Sequence, residues 1–161
     1  MVKKNPQDKY MQWLRLPRLA QTGVDVPTEV EVKLPTIPED GLVMVIHEID
    51  FMPIMPPAID GSWAQMTLAT QSGIPYGSLR YDNEAVIDLH ESRCSGSAGG
   101  ILPTICHRHV YPKPFIIAHP NLFMYVTSAL TTLVNIINGR IGFTFEKVST
   151  EEFFQALASY R

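Results

Sequence analysis

Two histidines in the segment "CHRHV" are the first candidates for chemistry in this sequence. His107 and His109 are two residues apart, so on a β-strand both side chains point to the same face. A metal site needs at least a third ligand, usually a carboxylate or another histidine. The residues that follow, "VYPKPF", contain no acid, and only His90 or His119 could complete a site by the way the chain folds. We therefore predict no metal at His107 and His109.

The sequence offers few nucleophiles or general bases. Cys106 and His107 are neighbours, so a strand would place them on opposite faces, which is poor geometry for a thiolate–imidazole pair. Asp88 and Glu91 also face opposite ways on a predicted strand and form no carboxylate pair. The segment "GSAGG" lacks the Lys-Ser/Thr of a phosphate-binding loop, and no G-x-S-x-G occurs. We predict no catalytic residue and no cofactor, and hence a protein that is not an enzyme.

The N-terminal segment differs from the rest of the chain in charge. Residues 1–20 hold five basic side chains against one acidic side chain, a net charge of +4. The other 141 residues hold eight basic and fifteen acidic side chains, a net charge of −7. This layout predicts a basic N-terminal arm, residues 1–25, on an acidic body. The arm would meet nucleic acid, a membrane surface or neighbouring subunits through Lys3, Lys4, Lys9, Tyr10, Trp13, Arg15 and Arg18.

Length and composition indicate a single globular domain, residues 26–161, behind this arm. The chain has 161 residues, of which 45% are hydrophobic and 18% charged. Thirteen prolines favour short strands joined by loops, since proline breaks helices. Cys94 and Cys106 flank a Ser/Gly-rich segment, and whether they are bonded stays open. Deleting residues 1–20 is expected to leave the body folded.

The rest of the chain is dominated by strand patterns. The segment "TEVEVKL" alternates cleanly, and residues 114–139 are long and uncharged enough to span a bilayer, yet their β-branched and aromatic content favours strands. Residues 5–20 follow helical spacing until Pro17, and Asn138-Gly139 predicts a hairpin turn or a bulge. Eight or nine strand candidates predict a sandwich whose inner faces include Val30, Val32, Met66, Leu68, Ile87, Leu89, Ile141, Phe143 and Phe145.

One helix is predicted, at the C-terminal end of the chain. Ser149 can cap it, and Glu152 lies three residues later, as in a capping box. Residues Phe153, Leu157 and Tyr160 then share one helical face.

A small all-β chain with a basic arm, alternating strands and proline-rich loops resembles the single jelly-roll coat (capsid) proteins of icosahedral viruses. The resemblance covers the body, residues 26–148, and rests on architecture rather than on a motif. It implies an all-β, single jelly-roll sandwich of two antiparallel sheets. It also implies a structural protein of the virion that self-assembles with copies of itself and with other shell proteins. In that family the arm, here Lys3 to Arg18, often reaches genome, an internal membrane or neighbours.

The alternative from the sequence is a jelly-roll binding module or a cupin-like enzyme that uses His107 and His109. Cupin barrels begin a metal site with an H-x-H pair on a strand, although here the acid that should follow is missing. The two hypotheses differ in particle size, because a shell protein forms large closed particles and an enzyme stays small.

Overall fold

The structure, a computed structural model, describes residues 11–35, 42–54, 58–93, 107–117 and 120–158. In chain order its strands are β1 (Gln12–Ala20), β2 (Thr28–Lys33), β3 (Leu42–Ile54), β4 (Ala58–Ala69), β5 (Val86–Arg93), β6 (His107–Ile117), β7 (Asn121–Thr131) and β8 (Ile136–Lys147). A short 3-10 turn, Tyr76–Ser78, precedes β5, and helix α1 (Thr150–Ala158) follows β8.

The strands form two antiparallel sheets of four strands each. Sheet A has the order β1-β8-β3-β6, and sheet B has the order β2-β7-β4-β5. Apart from β4 and β5, which are neighbours in sheet B, each pair of consecutive strands lies in different sheets. This interleaved order is that of a jelly roll. The predicted all-β single jelly-roll sandwich is therefore confirmed.

The core lies between the sheets and receives side chains from all eight strands. Most of the predicted inner-face residues are there: Val32, Met66, Leu68, Ile87, Ile141 and Phe143 are buried, and Val30 and Phe145 pack against them half-buried. Burying one such side chain contributes about 1.5–3 kcal/mol, which makes this layer the main source of stability.

The prediction for Leu89 is wrong because β5 contains a bulge. Leu68 of β4 pairs with Asp88, whereas Ala69 pairs with Val86, so Ile87 is the extra residue between them. One extra residue exchanges the two faces for the rest of a strand. Asp88 therefore lies on the inner face beside Leu68, and Leu89 pairs with Thr67 on the outer face. The alternation expected for "EAVIDLHES" holds only as far as Ile87.

The predicted arm of residues 1–25 is also corrected, because Gln12–Ala20 is the edge strand β1 of sheet A. Its Leu16 and Leu19 belong to the core, and Leu14 packs against it. Pro17 lies where the pairing of β1 with β8 shifts, between Leu16 and Leu19. An edge strand tolerates proline at a bulge, since no ladder donor is lost there. The domain thus includes β1, and the predicted helical turn in this segment is wrong.

The C-terminal helix is capped as predicted. The Ser149 backbone N–H donates to Glu152 Oε2 at 2.8 Å, and the Glu152 N–H donates to Ser149 Oγ at 3.2 Å. The Ser149 hydroxyl also donates to Glu152 Oε2, at 2.8 Å. The two bonds that Oε2 accepts lower the pKa of the Glu152 carboxyl, with the bond from the Ser149 backbone N–H the larger cause. Phe153 is half-buried, while the side chains of Leu157 and Tyr160 lie outside the described part.

The uncharged segment 114–139 contains strand β7 and parts of β6 and β8. No helix among the described residues is long and apolar enough to cross a membrane. Asn138 and Gly139 lie inside β8, paired with Met52 and Phe51 of β3, so they form no hairpin turn. A side chain at Gly139 would place its Cβ 2.2 Å from the Asp50 carbonyl oxygen. Glycine is therefore needed here for the close approach of β3 and β8.

Candidate functional site

One end of the sandwich is built from two loops that a polar network holds together. The loops join β1 to β2 (residues 21–27) and β7 to β8 (residues 132–135). Gln21 lies at the centre of the network: its Oε1 accepts from the Asn135 backbone N–H at 2.9 Å and from Nδ2 at 3.0 Å. Its Nε2 donates to Ser128 Oγ at 2.9 Å and to the Val26 carbonyl at 3.2 Å. Gln21 and Asn135 are buried, so their hydrogen bonds are shielded from water and hold the two loops together.

Asp25 ties the first loop to the end of β7. Its Oδ1 accepts from Ser128 Oγ at 2.8 Å and from Thr131 Oγ1 at 2.6 Å, and the Thr131 N–H lies 3.3 Å from Oδ2. Burial alone would raise the pKa of this carboxyl, but the bonds from Thr131 and Ser128 bring it below its ordinary value. Both carboxylate oxygens are thus engaged.

The same end contains unusual backbone conformations. Asp25 has φ 57° and Leu130 has φ 59°, and these are the non-glycine residues with positive φ among the described residues. Aspartate tolerates this region, but a bulky leucine is a strained exception. The strain at Leu130 is held in place by the Asp25 bonds to the adjacent Thr131.

The loops present apolar side chains to solvent. The exposed residues are Val24, Val26, Leu130, Leu133 and Val134, with Leu130 56% and Leu133 55% exposed. We call these five side chains the end patch. Apart from Asp25, whose oxygens are engaged, residues 21–27 and 130–135 hold no formal charge. An uncharged apolar surface on rigid loops is typical of an interface core.

A second polar cluster lies at the opposite side, where β5 and β6 are the edge strands of their sheets. Asp88 is completely buried, and its Oδ1 lies 3.2 Å from His109 Nδ1 and accepts from the Leu89 N–H at 2.9 Å. The ring of Tyr111 lies 4.4 Å from that of His109. Burial, together with the Asp88 carboxylate, raises the pKa of the Tyr111 hydroxyl far above its ordinary range.

In this cluster the Asp88 carboxylate orients the His109 imidazole, an arrangement that could exchange a proton or bind a ligand. Within the described residues, Asp88 Oδ2 and the Tyr111 hydroxyl make no hydrogen bond. His109 is about two-fifths exposed, so the cluster reaches solvent through its ring. No group of three or more described His, Cys, Asp or Glu residues is placed to hold a metal ion. The side chain of His107 and both Cys94 and Cys106 lie outside the described residues.

The described part of the predicted contact set lies on or beside the outer face of sheet A. Trp13 and Arg15 lie on this face of β1, and the Arg140 guanidinium stacks on the Trp13 ring at 4.0 Å. Arg18 is exposed near the bulge of β1. The other predicted residues, Lys3, Lys4, Lys9 and Tyr10, lie outside the described residues.

A row of ion pairs continues from Arg140 across sheet A. Arg140 Nε donates to Asp50 Oδ2 at 2.7 Å, and Arg108 Nη2 donates to Glu48 Oε2 at 2.7 Å. Glu48 is buried because Met11 and Trp13 fill the space above Gly142 beside it. The acids of this row therefore lie beneath arginines, whose side chains are about half exposed or more.

Sequence reasoning missed the end patch and the Asp88–His109 pair. No sequence signal placed Asp88 inside, because the bulge is set by pairing with β4. The loop segments "QTGVDVP" and "TLVN" contain all residues of the patch except Leu130. Apolar residues in loops between predicted strands were the sequence signal that could have identified the patch.

No family model matches this chain, and no curated protein matches it. Among solved structures, the chain is similar to dimeric latent PorU from Porphyromonas gingivalis, with 10% identity and a TM-score of 0.45 over 87% of this chain. The chain spans 13% of the PorU chain. It is also similar to Merkel cell polyomavirus VP1 in complex with 3'-sialyllactosamine, with 9% identity, a TM-score of 0.43, and coverage of 89% of this chain and 97% of that one. Both fits are loose, and the fold assignment rests on the strand order.

Proposed function

We propose that this chain is a structural subunit of a symmetric self-assembling shell, and that the shell is a viral capsid. The role would be structural rather than catalytic, the partners would be copies of the chain and other shell proteins, and the location would be the virion. The observation that carries the proposal is the end patch: five exposed apolar side chains on loops fixed by a buried network. Rigid loops lose little entropy on binding, so they suit repeated, identical contacts.

The fold supports the same proposal. A jelly roll presents two outer sheet faces and loops at its ends, and the sequence resembles coat proteins built on this architecture. The terminal strands of the two sheets among the described residues, β1, β2, β5 and β6, offer further contact surfaces. Such surfaces need shape rather than a reactive centre.

The test uses a double variant of the end patch, Leu130→Asn with Leu133→Asn. Asparagine tolerates positive φ, so the fold should survive at position 130. We expect the double variant to melt like the wild type and to lose self-association in sedimentation velocity. The matched control is Phe154→Gln, which removes another exposed apolar side chain, 61% exposed, from helix α1. Equal association by wild type and double variant, or equal losses in double variant and control, would contradict the role of the patch.

A second candidate function is a jelly-roll binding module or cupin-like enzyme at the β5–β6 edge. The observation that favours it is the Asp88–His109 pair, a carboxylate-held imidazole with an open route to solvent. Elemental analysis of the purified chain tests the metal-dependent form. Near-stoichiometric metal that disappears in the His107→Ala, His109→Ala double variant would favour this candidate over the shell.

A further inference from the structure

The two outer faces of the sandwich differ in their exposed charge. On sheet A, Arg15, Arg140, Asp50 and Arg108 follow one another in register across β1, β8, β3 and β6. Exposed Arg18 and buried Glu48 lie beside this row. With them, the region holds four arginines and two acids, a net charge of +2. Because Asp50 and Glu48 are buried, the charge that solvent meets along this row is basic. Glu146, a third acid on the outer face, is half-buried near the other end of β8, where its Oε1 lies 3.8 Å from His47 Nε2.

Two of these arginines are not compensated within the described residues. Arg140 is paired with Asp50, and Arg108 is paired with Glu48. Arg15 and Arg18 make no ion pair with any described residue. Arg15 also lies directly opposite Arg140, and like charges at opposed positions of a sheet repel. The isolated chain therefore tolerates an unfavourable pair that an external anion would relieve.

The outer surface of sheet B has the opposite character. Val30 and Val32 of β2 face the core, so Glu29, Glu31 and Lys33 face outward. The loop between β4 and β5 lies over this sheet, since Tyr125 of β7 donates to the Gln71 carbonyl at 2.7 Å. That loop adds exposed residues to the same surface, which are Arg80, Asp82 and Glu84. Four acids and two bases leave a net charge of −2, and Glu31, Asp82 and Glu84 make no ion pair with described residues.

We infer that the basic face of sheet A in one copy binds the acidic surface of sheet B in the next copy. This inference rests on the proposed shell function and names the faces that meet. The charge complementarity selects a second copy, because the chain itself has the surface that its arginine row requires. A contact between different faces is head-to-tail, and such contacts repeat from copy to copy, forming a closed assembly where the rotation between copies closes and an open filament where it does not.

The test is a charge swap. Arg15→Glu with Arg18→Glu reverses the basic face, and Glu31→Lys with Glu84→Lys reverses the acidic one. None of these four residues is in an ion pair with a described residue, so folding should persist, and a thermal melt checks it. Each single-face variant should associate at least about tenfold more weakly, because it opposes like charges. A chain with all four changes should recover association, since its faces are complementary again.

The outcomes separate this inference from the proposed function. A wild-type chain that stays monomeric overturns both. A wild-type chain that assembles while the single-face variants assemble equally well overturns only the face-to-face contact. Failure of the fully swapped chain to recover, although it melts normally, also overturns the contact. If Arg15→Glu with Arg18→Glu abolishes co-sedimentation with a single-stranded oligonucleotide but leaves assembly intact, the face serves a polyanion and the inference is wrong. Lys147→Glu, an exposed basic residue at the far end of β8, is the control for net charge.

Discussion

Asp25 and Asp88 show how two regions of this molecule use the same carboxylate differently. Asp25 is half-buried at the end patch, and both of its oxygens accept hydrogen bonds from Ser128 and Thr131. Asp88 is completely buried at the β5–β6 edge, yet its Oδ2 has no partner among the described residues. The first carboxylate braces two loops, whereas the second is incompletely satisfied. A braced site suits a fixed contact surface, and an unsatisfied buried group costs stability unless something else uses it.

The largest expected effect comes from removing residues 1–20. Strand β1 contributes Leu16 and Leu19 to the core and covers one edge of β8, so the truncated chain should lose its cooperative unfolding transition. The deletion also removes the strand that precedes the Asp25 loop, whereas it leaves the residues of the β5–β6 edge in the chain. A thermal melt followed by circular dichroism is the measurement. Deleting only residues 1–10, the control, should retain the transition; a normal melt for the longer deletion would restore the predicted arm boundary.

Asp25→Ala should give the next largest loss. It leaves the Thr131 N–H without its acceptor, and it leaves the Thr131 and Ser128 hydroxyls only their longer bonds, to the Leu133 carbonyl and to Gln21 Oε1, both at 3.2 Å. We expect this to cost about 2 kcal/mol of unfolding free energy. Because the pKa of Asp25 is lowered in the folded chain, its stabilisation is full above the ordinary pKa and is lost as pH falls through the lowered one. The gap between wild type and variant in urea unfolding should therefore narrow in acid. A gap that is constant with pH would show that the charge is not what matters.

Asp88→Asn should raise the free energy of unfolding, whereas Asp25→Ala lowers it. The amide keeps an oxygen for the Leu89 N–H and removes a completely buried charge, one oxygen of which makes no hydrogen bond with the described residues. We expect a gain of about 1–2 kcal/mol at neutral pH, again from urea unfolding. A loss as large as that of Asp25→Ala would mean that both carboxylates are structural braces, and the contrast between the regions would fail.

Ser149→Ala should have the smallest effect on the free energy of unfolding. It serves as a reference, because Ser149 lies outside both the end patch and the β5–β6 edge. It removes the acceptor for the Glu152 N–H at the start of α1, worth about 1 kcal/mol. An unchanged unfolding midpoint would show that the helix contributes nothing to global stability. Association should be unaffected, because the cap lies away from the end patch.

The sequence predicted those parts of the fold that depend on local pattern. In β8 the alternation of Ile141, Phe143 and Phe145 is uninterrupted, so the inner face could be assigned directly. In β5 the same reasoning failed after Ile87, since a bulge depends on the partner strand and leaves no mark in the alternation. Pro17 hid β1 for the same reason: its bulge is visible only once β8 is beside it.

The candidate site was largely beyond the sequence. Trp13, Arg15 and Arg18, which were predicted as contact residues of an arm, are exposed, but they lie on strand β1. Charge counting assigned them to an arm because it carries no information on strand pairing. The end patch depends on Gln21 and Asn135, which are 114 residues apart in the chain. Neither residue has a local signal for burial, because both are polar and lie in loops.

The measurement that tests the central claim most directly is the mass of the wild-type assembly. Light scattering of the purified full chain, followed by negative-stain electron microscopy, should show closed particles of many copies at low salt. Their mass should fall in the Leu130→Asn, Leu133→Asn variant, whose melt should match the wild type. A monomer or small oligomer at every protein and salt concentration would contradict the shell.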